Sequence, residues 1–140
     1  MANQAETYSY PIERQDVWAW IAVMFLDSPF EEDDKKSLAN NLAGTSFSLP
    51  ELDKIMRTEV APILSSNLIC VAGQWGCWHR EEEVVQPITA HLNAVRNSPH
   101  RGWPIFRKLF EMFYMMDVQK EWVDILARVT IIRGNAGSVH

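Results

Sequence analysis

The sequence is short of the residues that build most kinds of site. It has two cysteines, Cys70 and Cys77, with six residues between them. That spacing is not a CxxC redox pair, and two thiols fall short of the roughly four ligands of structural zinc. They are read as free structural thiols. The four histidines, His79, His91, His100 and His140, are scattered, and none stands in an HExxH pattern. His79 and Glu83 are four apart and could share a helix face, but one pair does not make a metal site. No GxSxG elbow is present. Gly73-Gln74-Trp75-Gly76 lacks the lysine and the spacing of a phosphate-binding loop. The reading is therefore of a chain without cofactor or metal, and not an enzyme.

Long apolar runs are also missing. None approaches the roughly 18 residues that suggest a membrane span. Met1 to Tyr10 is polar and has no apolar signal-peptide stretch. Free thiols without an export signal lead to the expectation of a cytoplasmic protein that does not enter membranes. Positive charge is in deficit, with 13 basic side chains against 18 acidic and a net charge of −5, which argues against a nucleic-acid partner. The imbalance is uneven: residues 1–83 carry 14 acidic and 6 basic side chains, residues 84–140 carry 4 and 7. The two halves either dock on each other or present opposite charges to partners.

What is abundant is large apolar side chain. Six Trp, six Phe and six Met in 140 residues promise a core of bulky, adaptable groups. Their spacing is helical. Val17, Trp18, Ile21, Ala22, Phe25 and Leu26 predict a first helix over about 13–26, ended by Asp27-Ser28-Pro29. Glu31, Glu32, Asp33 and Asp34 suit the positive end of a second helix, whose stripe is Leu38, Ala39 and Leu42 and whose stop is Gly44. Ser48 and Glu51 form a capping box for the third, with Pro50 in the first turn and Phe47 and Leu52 placed as a staple. Pro62 should kink that helix or separate it from an apolar one over 63–71. Another helix is expected over about 80–95, with Pro87 as a kink. Asn97 to Gly102 reads as a linker, Trp103-Pro104 opens a further helix, and a last one covers about 119–132. The β-branched run Val129-Thr130-Ile131-Ile132 could instead be extended.

These elements predict an all-α fold, a compact bundle of six to seven helices in one domain. Residues 1–12 would be an arm, 13–96 the core, 97–102 the linker, 103–133 a helical pair and 134–140 a flexible tail.

Two stretches carry a resemblance: Trp18-Ala19-Trp20 with Phe25-Leu26-Asp27, and Glu59-Val60-Ala61-Pro62-Ile63-Leu64 through Asn67-Leu68 to Ala72-Gly73-Gln74-Trp75. Together they resemble a family of short, uncharacterised bacterial proteins with the pattern W-x-A…FLD…EV-x-P-x-L-x-x-NL…AG-x-W, over residues 12–95. The resemblance implies a bacterial source. It also implies that Asp27, Glu59, Pro62, Asn67, Gly73 and Trp75 form one coupled structural motif, and it leaves residues 99–140 unexplained.

For chemistry, Asp27 and Glu59 are the best-placed carboxylates. One of them raised in pKa inside a cleft could serve a hydrolase as acid or base. The structural alternative has Asp27 capping a turn and Glu59 bonding backbone groups freed by Pro62, or Asn67. For binding, two acidic clusters lie beside aromatics. Phe30 precedes Glu31, Glu32, Asp33 and Asp34, and Trp78 precedes Glu81, Glu82 and Glu83. Carboxylates around an apolar anchor suit a basic protein partner and fast, salt-sensitive association. The leading expectation is a protein-binding module, in its specific form an immunity protein that blocks an antibacterial toxin with a basic domain. The alternatives are a homodimeric adaptor joined through Phe106, Phe110 and Trp122, and the hydrolase.

Overall fold

The capping box at Ser48 and Glu51 forms as the sequence predicts. The Ser48 hydroxyl accepts the Glu51 N–H at 3.2 Å, and the Glu51 carboxylate accepts the Ser48 N–H at 2.9 Å. In the computed structural model, which describes residues 9–25, 30–64, 80–97 and 116–137, the described chain is all-α. Helix α1 (Ile12–Ala22) ends in a 3-10 turn, Val23–Phe25. Helices α2 (Glu32–Ala43) and α3 (Leu49–Ile55) follow. After α3 comes a π-turn, Met56–Val60, and then the short α4 (Ala61–Leu64). A second π-turn, Arg80–Val85, leads into α5 (Gln86–Asn97). The long α6 (Met116–Gly137) completes the described elements.

Both π-turns stand two residues before a proline, at Val60-Ala61-Pro62 and Val85-Gln86-Pro87. A proline in an α-helix lacks the N–H for the carbonyl four residues back, and its ring collides with that carbonyl. One wider turn relieves the collision and lets the helix continue. Pro62 therefore does not separate two helices; α3, the π-turn and α4 follow one another without a break.

Two helix ends differ from expectation. Gly44 terminates α2 in the right-handed region, at φ −80° and ψ −3°, so its freedom to adopt positive φ is unused. The α2 carbonyls are held instead by Arg133 of α6, which donates to the Leu42, Ala43 and Thr45 oxygens at 3.1–3.2 Å. The β-branched run Val129 to Ile132 is helical, and α6 continues to Gly137 rather than stopping near residue 132. Val129 is buried in the core, and that packing outweighs the weak β-preference of the run.

The core is continuous through the described elements. It takes Val17, Trp18, Ile21 and Ala22 from α1, Leu38, Ala39 and Leu42 from α2, and Leu52, Ile55 and Met56 from α3 and its π-turn. Val84, Val85 and Ile88 close one side, and Val118, Trp122, Ile125 and Val129 of α6 close another. Helix α6 packs mainly on α2, which joins the basic C-terminal part to the acidic N-terminal part. Lys35 pairs with Glu121, and Arg128 pairs with Glu32. Among the described residues no helix is long and apolar enough to cross a membrane. The expected apolar helix beyond Leu64 and the Trp103 helix lie outside the described residues.

Candidate functional site

Glu59 is the one charged residue in the buried core of the described chain, at 5% exposure. It sits on the first π-turn and faces α1. Its Oε1 accepts Arg14 Nε at 2.9 Å and Trp18 Nε1 at 2.8 Å, while Oε2 pairs with the second arm of the Arg14 guanidinium. Arg14 and Trp18 are four apart on α1, so one helix face offers both donors. The hydrogen bonds from Arg14 to Glu59 push the guanidinium pKa above its already high ordinary value. Arg14 also lies over the Phe47 ring, 5.7 Å from its centre, and Tyr10 meets Trp18 at 5.5 Å between ring centres.

Both oxygens of Glu59 thus accept N–H donors from α1, which ties the π-turn to that helix. The partners of Glu59 are Arg14 and Trp18, in place of the expected backbone groups around Pro62. Pro62 itself is half-buried in α4. Asn67, Gly73 and Trp75, together with Asp27, lie outside the described residues. A second carboxylate–indole contact was not anticipated at all. The Trp122 indole donates to Asp53 Oδ1 at 2.9 Å, with the Trp122 side chain fully buried, and Asp53 also receives Arg57. The only sequence signal for either contact was a tryptophan on an apolar stripe, which reads as core whether or not its N–H has a partner.

The acidic residues fall in two separate places. Glu31, Glu32, Asp33 and Asp34 are all exposed at the start of α2. Their roles differ. Asp34 accepts the Glu31 N–H at 2.9 Å and so caps the helix. Glu32 takes both arms of Arg128, at 2.7 and 2.9 Å, and these bonds hold its carboxyl below the usual range. Asp33 carries no ion pair among the described residues. Beside this start lies a shallow groove of about 110 Å³ between α1 and α2, lined by Trp20, Val23, Phe30, Asp34, Ser37, Leu38 and Asn41. Its volume is below the roughly 300–1,000 Å³ of small-molecule pockets and close to that of a single side chain.

Glu81 and Glu82 are exposed and Glu83 half-buried in the second π-turn. Glu81 borders a different groove, where Tyr10 and Gln15 meet Val85, Gln86 and Thr89. Trp78, expected beside this cluster, lies outside the described residues. The two clusters thus adjoin opposite ends of α1. Among the described residues no group of three metal-ligating side chains comes together.

Fold and site define an all-α helical domain held by a buried carboxylate, with a groove on its α1–α2 face whose lining includes Trp20, Phe30 and Asp34. The chain belongs to the family described as a domain of unknown function, DUF7079, whose model matches residues 12–128. The match extends beyond residue 95 to residue 128, so the family takes in residues 99–128, which the resemblance left unexplained. Comparisons with curated proteins and with solved structures find no significant match.

Proposed function

We propose that this chain is a protein-binding module whose contact surface is the α1–α2 face, and that its specific role is that of an immunity protein blocking a basic antibacterial toxin. The observation that carries the reading is the groove in which Trp20 and Phe30 lie beside Asp34, at the exposed acidic start of α2. Tryptophan is enriched at binding hot spots, and surrounding carboxylates steer a basic partner and raise its association rate. The engagement of Glu59 by Arg14 and Trp18 favours a binder over a hydrolase. Inhibition would be by blockade, with the acidic face covering a basic or substrate-binding cleft.

The test is co-expression with the product of the adjacent gene. A stable complex and relief of that product's toxicity are expected, with affinity falling as salt rises. Absence of both complex and relief overturns the reading.

A homodimeric adaptor is the second reading. Val123 and Ile131 stand 55% and 61% exposed on the outer side of α6, eight residues apart. Trp122 cannot serve such a contact because it is buried in the core, and Phe106 and Phe110 lie outside the described residues. Light scattering distinguishes the two readings: a dimer dispersed by Val123→Glu or Ile131→Glu supports the adaptor, and a monomer removes it.

A further inference from the structure

We infer that the α1–α2 groove is a receptor for one arginine side chain of the basic partner, an inference that rests on the protein-binding reading above. The lining is built in two parts. Trp20, Val23, Phe30 and Leu38 make the apolar part, and Asp34, Ser37 and Asn41 the polar part, in which Asp34 is the charged residue. An arginine has the matching anatomy, three methylenes that pack on apolar surface and a planar cation at the end. The guanidinium stacks on aromatic faces and pairs with carboxylates, which an ammonium does less well.

Charge selects the same occupant. Asp34 gives only Oδ2 to the Glu31 N–H, which leaves its other oxygen for an incoming donor. Exposed Asp33, one residue before Asp34 on α2, adds negative charge to this end of the helix. An acidic side chain would be repelled. A purely apolar one would desolvate the Asp34 carboxylate without giving it a partner. The volume of about 110 Å³ suits the insertion of one side chain. The chain itself shows the pairing this cluster favours. On the same first turn of α2, Glu32 already binds Arg128 of α6 through two hydrogen bonds.

The experiment is a titration of the full chain with three blocked tripeptides, Gly-Arg-Gly and its citrulline and lysine analogues, read by the NMR signal of the Trp20 indole N–H. Citrulline keeps the shape of arginine and removes the charge. The expected result is a saturable shift with the arginine peptide and binding roughly tenfold weaker for citrulline, the ratio that about 1.4 kcal/mol of cation–π and ionic interaction produces. Asp34→Asn retains an acceptor for the Glu31 N–H, so the helix cap survives. It should bring the arginine peptide down to the citrulline level while circular dichroism is unchanged. Phe30→Leu should weaken arginine binding without removing the charge dependence.

No saturable shift, an equal response to arginine and citrulline, or a preference for lysine overturns the inference. Its failure is separable from that of the broader reading. A cognate complex whose affinity is untouched by Asp34→Asn keeps the binding module and discards the arginine receptor. Arginine selectivity without any toxin complex does the reverse.

Discussion

The indole N–H of Trp18 donates to Glu59 Oε1 at 2.8 Å across 41 residues of sequence, and it joins α1 to the π-turn after α3 inside the core. Six residues earlier on the same helical rod, Asp53 accepts the indole of Trp122 and so ties down α6. One rod thus holds two other helices by the same device, a carboxylate that accepts an indole and is neutralised by an arginine. A buried carboxylate without such partners would be strongly unfavourable.

Removing the Glu59 charge should be among the more damaging single changes. Breaking one partner of a buried ion pair costs about 3–5 kcal/mol when the other is left fully buried. Arg14 keeps 27% of its side-chain exposure and can be partly rehydrated. Glu59→Gln is therefore expected to cost about 2–3 kcal/mol. Urea denaturation checks this, and a double-mutant cycle with Arg14→Met should show coupling of about 1–3 kcal/mol. Additive effects would mean that the pair contributes nothing specific.

Trp122 supports the core by volume first and by its N–H second. Trp122→Ala is expected to destabilise by about 3–5 kcal/mol through the cavity it leaves. Trp122→Phe keeps most of the volume, and the released Asp53 is half-exposed and still paired with Arg57, so the loss should be about 1 kcal/mol. Calorimetry should place the phenylalanine variant much closer to the parent. Equal melting points for the two variants would contradict this packing.

Gly44 is replaceable. A Cβ there would meet no atom nearer than 3.6 Å, and the backbone is in a region any residue adopts. Gly44→Ala should raise stability by about 0.4–1 kcal/mol, because the unfolded chain loses freedom and the fold acquires no strain. Arg133→Gln should lower it, since three carbonyl oxygens at the end of α2 would lose a charged donor. Opposite shifts in melting temperature are the expected pair of results.

Acid should weaken the fold through two surface carboxylates. Glu32 is held below its ordinary value of 4.5 first by hydrogen bonds from Arg128, and Glu51 first by the backbone N–H of Ser48. The unfolded chain then binds more protons than the folded one just below that value, so stability rises with pH there. The contribution is complete above about pH 4.5 and is lost as pH falls through the lower folded values. Melting temperature measured against pH should fall below that point, and the fall should be shallower in Glu32→Gln, Glu51→Gln. A melting temperature that rises on acidification would contradict both assignments.

The local signals in the sequence were sufficient for the helical architecture. Ser48 and Glu51 define a helix start from the side chains of four consecutive residues, and the stripe Val17, Trp18, Ile21 and Ala22 defines a buried face from one helical period. Both are short-range effects, so the sequence determined them by itself. The partners of Glu59 and Asp53 were not legible, because donors 41 and 69 residues distant meet them only after the helices dock. The face that Glu59 presents also depends on the π-turn, which shifts the helical register by about one residue and which a pattern of period 3.6 does not contain. The same holds for the acidic residues. Composition placed four carboxylates at the start of α2, but only the packing of α6 decided that Glu32 is taken by Arg128 while Asp34 turns to the groove beside Trp20. Charge sign is a property of sequence; which charges remain available to a partner is decided by tertiary contacts.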